Sequence, residues 1–325
     1  MNTAIRTLAA VATALLAAAS TPAFAQGWPE KPVTFVVPFP AGGGTDAFGR
    51  PLGAELGKQL GKSIVIDNRG GAGGTLGAGI AARAPKDGYT FFLGAVHHAI
   101  APSVYPSLTY DLEKDFTPIA VVAVVPQVVV VNPQRVTQTS LKDLIAFAKA
   151  NPGKLNYASA GNGTSHHLAG ELFKIVTGTQ IDHIPYKGAG PALQDLVGGQ
   201  VDMMFDGLGS SSSHIKGGRI KPLAVAASSR APSIPDVPTA AEAGVEGYEV
   251  STWYALWAPA GTPKDIVDRM VAEVGKALSS EAVKGIWAQQ GAVTGPATPA
   301  DMAKFVTAEI ARWGKVAKSA NIKID

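Results

Sequence analysis

A five-residue string, Ala-Gly-x-Gly-Thr, occurs twice in this chain, at Ala41–Thr45 and at Ala160–Thr164. Each copy follows a short apolar run, Val33–Val37 and Leu155–Ala158 respectively, and each leads into a helix-like segment. A glycine-rich turn entering a helix exposes backbone N–H groups that have no partner inside the helix, and the helix dipole favours negative charge there. One such loop is a weak signal. Two of them, about 120 residues apart, point to an anion gripped from both sides. Neither Pro38–Gly49 nor Leu155–Phe173 contains Lys or Arg. The anion would then be held by backbone N–H groups and by the hydroxyls of Thr45, Ser159, Thr164 and Ser165, without a desolvated guanidinium. Asp46 would repel such a ligand and is expected to cap its own helix.

Other chemistries fit these residues less well. Gly42-x-Gly44-x-x-Ala47 imitates a dinucleotide fingerprint, with Asp67 ending the next strand. Pro38-Phe39-Pro40, however, separates strand from glycines where that fingerprint needs an immediate turn. A phosphate-gripping P-loop fails because Leu56 stands where the partner glycine of Gly61-Lys62-Ser63 belongs. The serine run Ser210–Ser213 lacks the G-x-S-x-G elbow and is expected to be a flexible loop. A third glycine-rich stretch, Asn68–Thr75, is either an anion nest or a tight structural turn.

The histidines come as two pairs, His97-His98 and His166-His167, with His183 and His214 alone. A zinc site needs three or four converging ligands, and adjacent residues point in different directions, so each pair offers a given site one ligand at most. No HExxH is present. A hydrogen-bond donor in a polar cleft is the commoner role, and His98 is free simply to pack. A zinc receptor and an exported carboxylate-processing enzyme, with His97 or His166 as base, remain as alternatives.

The elements that must position these residues alternate between short apolar strands and helical segments, an α/β pattern expected to build mainly parallel sheets. The candidate strands are Val33–Val37, Ser63–Asp67, Thr90–Leu93, Val121–Val125, Val128–Val131, Leu155–Ala158, His183–Pro185, Val201–Phe205 and Leu223–Ala226. Phe48, Leu52, Leu56 and Leu60 recur every four residues as one buried helix face. Ser140-x-x-Asp143 is a capping box opening another helix, and the C-terminal part is helical.

Arg6, the apolar run Leu8–Ala19 and Ala23-Phe24-Ala25 together have the form of a secretory signal peptide, which gives an expected mature start near Gln26 and 325 − 25 = 300 residues. That length is enough for two domains. There are no cysteines, which excludes disulfides, thiolate metal sites and lipid-modified cysteine. The formal net charge of +3 comes without a basic cluster, so no nucleic-acid partner is expected.

The longer runs VPFPAGGGTD (37–46), DNRGGAGGTLGA (67–78), APKDGYTFFLG (84–94), NPGKLNYASAGNGTSHHLAGELF (151–173), HIPYKGAGPALQDLVGGQVDMMFD (183–206) and IPDVPTAAEAG (234–244) carry a family resemblance. Over nearly its whole mature length the chain resembles the solute-binding receptors of the tripartite tricarboxylate transporter family, the Bug-type periplasmic receptors. The resemblance implies an α/β, two-lobed periplasmic binding protein fold (type II-like) with a hinge of two crossing strands. The expected division is 26–124 with 226–325 in lobe 1, and 125–225 in lobe 2. It further implies a periplasmic monomer without enzymatic activity or cofactor, which captures a small carboxylate and delivers it to integral membrane transporter subunits. The carboxylate loops fall on Phe39–Asp46, including Gly43, Gly44 and Thr45, and on Ser159–His166, including Gly163, Thr164 and Ser165. Asp206 is expected at the cleft mouth. Departures from the family pattern lie at Ala95-Val96-His97-His98 and at Gly207–Ser213. They point to a ligand with a second polar end, such as an aromatic dicarboxylate, with His97 as the residue that meets it.

Overall fold

The computed structural model describes residues 27–319 and 322–324. The expected signal peptide and its cleavage point lie outside the described residues. The strands are β1 (Val33–Val37), β2 (Ile64–Asn68), β3 (Thr90–Ala95), β4 (Phe116–Val131), β5 (Asn156–Ser159), β6 (Asp182–Pro185), β7 (Met203–Gly207), β8 (Lys221–Val225) and β9 (Ser251–Pro259). Their hydrogen-bonded order is β2-β1-β3-β9-β4-β7-β5-β6, with β8 paired to β4.

The chain is two-lobed because β4 serves two sheets. Its first part, Phe116–Pro126, pairs antiparallel with β9, while Gln127–Val131 pairs antiparallel with β7. In one lobe β1 lies parallel between β2 and β3, and in the other β5 lies parallel between β6 and β7. The sheets are therefore parallel only in their inner parts, since β4 and β9 bring antiparallel pairing to the middle.

Two sequence expectations change here. The run Val121–Val131 is not two strands broken at Pro126 and Gln127 but part of one strand of 16 residues. Pro126 sits where β4 changes partners, a position where a missing N–H interrupts the ladder least. Strand β9 was not anticipated at all. It lies between β3 and β4 and is buried along almost its whole length, so Ser251–Pro259 shows none of the apolar–polar alternation that marks a half-buried strand.

The returning chain meets β4 where β4 changes sheets. Gln127 N donates to Val250 O (2.9 Å) and Ala226 N donates to Gln127 O (2.8 Å). The Gln127 side chain donates from Nε2 to Ser165 Oγ and Thr252 Oγ1, each at 3.1 Å, which ties both lobes to the crossing point.

Helix Gly44–Leu60 buries Phe48, Leu52 and Leu56 completely, as their four-residue spacing requires, while Leu60 at the helix end is only partly buried. Ser140 caps helix Leu141–Ala150 by accepting from Asp143 N at 3.1 Å. The C-terminal helix Pro299–Ser319 packs on helix His97–Val104 and on β4. There the buried Glu309 accepts from Trp253 Nε1 (2.8 Å) and Trp313 Nε1 (3.0 Å). Among the described residues no helix is long and apolar enough to cross a membrane.

Candidate functional site

The first glycine loop leaves β1, turns at Gly42 (φ 85°) and enters helix Gly44–Leu60. Its shape is fixed from behind. Asp46 Oδ2 accepts from Gly42 N (3.1 Å) and Arg50 Nε (2.9 Å), and Asn68 Nδ2 donates to Phe39 O (2.8 Å). Asp46 thus braces its own loop and does not join the cavity. The N–H groups of Gly44 and Thr45 have no acceptor within the helix, and none elsewhere among the described residues. A Cβ on Gly44 would collide with the Tyr254 hydroxyl, so only glycine allows this close approach.

A second helix start faces the first. Helix Ala189–Val197 begins after Gly188, and the N–H groups of Ala189 and Gly190 are likewise without an acceptor among the described residues. A Cβ placed on Gly43 would lie 3.4 Å from both Ala189 Cβ and Gly190 N. A Cβ on Gly190 would strike the Ala41 carbonyl oxygen. The positive ends of two helix dipoles therefore meet across the cleft, each worth about half a unit charge.

The second Ala-Gly-x-Gly-Thr loop is arranged differently. Gly161 N donates to Ser159 Oγ (3.1 Å), Gly163 N to His167 Nδ1 (3.2 Å), and Thr164 Oγ1 to Gly161 O (2.7 Å). Ser159 Oγ also lies 2.6 Å from His183 Nε2. Ser165 N donates to His97 Nδ1 at 3.0 Å, a bond between the lobes. These N–H groups are already engaged. Ser159, Gly163, Thr164 and Ser165 shape the loop and the lobe contact, while Ala160 and His166 reach the cavity.

The cavity is lined by Phe39, Gly43, Gly44, Thr45 and His97, by Ala160, His166 and Ala189, and by Tyr254. Its volume is about 10 Å³, room for about one water. No Lys or Arg lines it. His97 accepts at Nδ1, so in the neutral ring the proton is on Nε2, a donor. Burial, reinforced by His166 and His98, holds His97 well below the ordinary histidine pKa. The Tyr254 hydroxyl stays protonated, because burial and then the Asp206 carboxylate raise its pKa.

Asp206, expected at the cleft mouth, is completely buried and is not among the residues lining this cavity. Its Oδ2 accepts from Ser210 Oγ (2.7 Å) and Ser211 Oγ (2.6 Å). The serine run is not a flexible loop: it forms helix Leu208–Lys216, and two of its hydroxyls serve a buried carboxylate. His166 Nε2 stands 3.6 Å from Asp206 Oδ1. His98 points away from the cavity. Its Nδ1 lies 3.0 Å from Ala95 N and its Nε2 3.3 Å from Gly74 O, and burial lowers its pKa to about 4. Ala95 thus holds His98 and is not part of the lining. The stretch Asn68–Thr75 is a structural turn that supplies the Gly74 carbonyl to His98 and the Asn68 side chain to Phe39. Among the described residues no three His, Asp or Glu converge as a metal site.

The sequence profile described as "Tripartite tricarboxylate transporter family receptor" matches residues 49–322. The chain belongs to this receptor family. Among solved structures, the receptor resembles the periplasmic binding protein BugD (36% identity, TM-score 0.88, covering 91% of this chain and 99% of that one). It also resembles an R. palustris protein solved with adipate, at 43% identity and TM-score 0.88, covering 91% of this chain and 99% of that one. MatC from Rhodopseudomonas palustris, solved with bound malate, is similar at 38% identity and TM-score 0.84, with 89% and 99% covered.

Of the residues that the sequence singled out, the receptor's fold brings Phe39, Gly43, Gly44, Thr45, His97 and His166 to one cavity. Ala160, from the second glycine loop, joins them, as do Ala189 and Tyr254, which were not anticipated. A signal for Ala189 was present: Lys187-Gly188-Ala189-Gly190 is another glycine-rich turn between a strand and a helix. Tyr254 had none, because it belongs to the strand that the sequence did not reveal.

Proposed function

We propose that this receptor captures a small carboxylate between its lobes in the periplasm and, as a monomer, delivers it to integral membrane transporter subunits without transforming it. The observation that carries this reading is the meeting of two helix N-termini across the cavity, with unpaired N–H groups on both sides. Together they supply about one unit of positive charge, which matches one carboxylate. The His97 and Tyr254 donors add neutral hydrogen bonds, and the Phe39 ring, edge-on to His97 with centroids 5.0 Å apart, forms an apolar wall. Adipate and malate, found with two of the similar proteins, are dicarboxylates of the size class this reading expects.

The mechanism is hinge closure. The lobes, 26–124 with 226–325 and 125–225, would turn about the point where β4 changes partners. A cavity of about 10 Å³ admits no carboxylate until they part. A ligand touching both helix starts would then stabilise the closed form, the form offered to the membrane partner.

Calorimetric titration with adipate, malate and benzoate, followed by chemical analysis of the mixture, tests the proposal. Saturable binding of one carboxylate per chain, with the ligand recovered unchanged, is expected. Conversion of the ligand would establish the enzyme reading instead, and absence of binding to every carboxylate would remove the receptor reading.

A further inference from the structure

His166 lines the cavity with a buried ring nitrogen, Nδ1, that has no hydrogen-bond partner. It is 3% exposed, and its Nε2 is turned toward Asp206 Oδ1, which also has no partner. We infer that His166 receives the second carboxylate of a dicarboxylate ligand and takes up a proton as that ligand binds, with Asp206 as its buried counter-ion. The inference rests on the receptor reading above and specifies the ligand class and the charge change that accompany it.

Charge balance carries the argument. The two helix starts offset one carboxylate. A second would enter a cavity without Lys or Arg, near the fully buried Asp206. Two carboxylates on either side of a neutral imidazole would repel each other at low effective dielectric. An imidazolium between them removes the conflict, because it donates from both nitrogens. His97 cannot serve in this way while its Nδ1 accepts from Ser165 N.

Few other charges face His166. Asp206 approaches from β7, and Tyr254 on β9 lines the same cavity as a neutral hydroxyl. His97 is edge-on with ring centroids 5.6 Å apart. From helix Leu208–Lys216, His214 interacts with Asp206. On the helix of His166 itself, Glu171 is engaged by Lys174 and Tyr157, and His167 stacks on His183. Burial lowers the pKa of His166 despite Asp206, so the ring is neutral near pH 7 before ligand arrives. A carboxylate at the free nitrogen raises that pKa. Between the two values a proton is taken up, and dicarboxylate affinity falls as pH rises, by up to about tenfold per pH unit.

The test is calorimetry at pH 7 in phosphate and in Tris, whose protonation heats differ, with adipate and with hexanoate as the chain-matched monocarboxylate. Wild type should take up close to one proton per adipate and almost none with hexanoate. His166→Gln should lose at least tenfold more affinity for adipate than for hexanoate, and show no proton uptake with either. Adipate binding to wild type without proton uptake, or full uptake by His166→Gln, overturns the inference while leaving the receptor reading intact. If neither acid binds to wild type, the receptor reading falls and the inference with it.

Discussion

His97 Nδ1 accepts the backbone N–H of Ser165 at 3.0 Å, and this single bond joins the two lobes directly beside the cavity. It consumes the first orphan donor of helix Ser165–Thr177 and fixes the His97 tautomer in one step. Tyr105 Oη, donating to Asn162 O at 2.8 Å, makes a second such bridge on the same side.

His97→Ala leaves Ser165 N without its partner in the closed form, a cost of about 1–3 kcal/mol that the open form avoids by exposing the group to water. The variant should populate the open form more than wild type does. Small-angle scattering of the ligand-free proteins checks this: a larger radius of gyration for the variant is expected, and identical curves would deny His97 a part in closure. Because His97 is held neutral, any contribution it makes to ligand binding should not change between pH 7 and 8.

The two glycine loops should respond differently to the same substitution. Gly43 has an ordinary φ of −88°, and an added Cβ would only press on Ala189 and Gly190 across the cleft. Gly43→Val should lower carboxylate affinity at least tenfold, about 1.4 kcal/mol, with little change in melting temperature. Gly163 has φ +72°, and an added Cβ would lie only 2.9 Å from Val104 and 3.1 Å from Tyr105. Gly163→Val should instead destabilise the fold by at least about 1–3 kcal/mol. Paired melting curves and titrations distinguish the two outcomes. Equal melting temperatures for the two variants would contradict the assignment of Gly163 to loop shape.

Glu309 ties the C-terminal helix to β9 through two tryptophan N–H groups. Glu309→Ala leaves both indoles buried without an acceptor and should cost about 2–4 kcal/mol in denaturant unfolding. A loss below about 0.5 kcal/mol would mean that these bonds are replaced by water.

Stability should fall on acidification through His98. Its folded pKa, about 4, lies below the ordinary 6.5, so the unfolded chain binds more protons between those values and stability rises with pH there. The contribution is complete above pH 6.5 and is lost as pH falls toward 4, about 3 kcal/mol in all. His98→Gln should flatten the pH dependence of melting over that interval. An unchanged slope would place the acid sensitivity elsewhere.

What the sequence made legible was local. The spacing of Phe48, Leu52 and Leu56 and the capping pair Ser140–Asp143 act within a few turns of helix, and the structure shows both as expected. The first glycine loop was legible for the same reason, since a turn and the helix after it are contiguous. The partner of that loop was not, because the two Ala-Gly-x-Gly-Thr strings look alike while their surroundings decide which N–H groups stay free. His167, Ser159 and His97 engage the N–H groups of the second loop, and none of that is visible from the motif. Ser210 and Ser211 illustrate the same limit: polar residues read as a loop until a buried carboxylate five residues or fewer upstream supplies their reason for being inside.

The central claim is that a carboxylate sits between the starts of helices Gly44–Leu60 and Ala189–Val197. Amide chemical shifts during titration with adipate test it most directly, because a charged acceptor moves a hydrogen-bonded amide proton strongly downfield. Saturable downfield shifts at Gly44 and Thr45 on one lobe and at Ala189 and Gly190 on the other are predicted. Saturable binding that leaves these four amides unmoved, with the largest shifts elsewhere, would contradict the account.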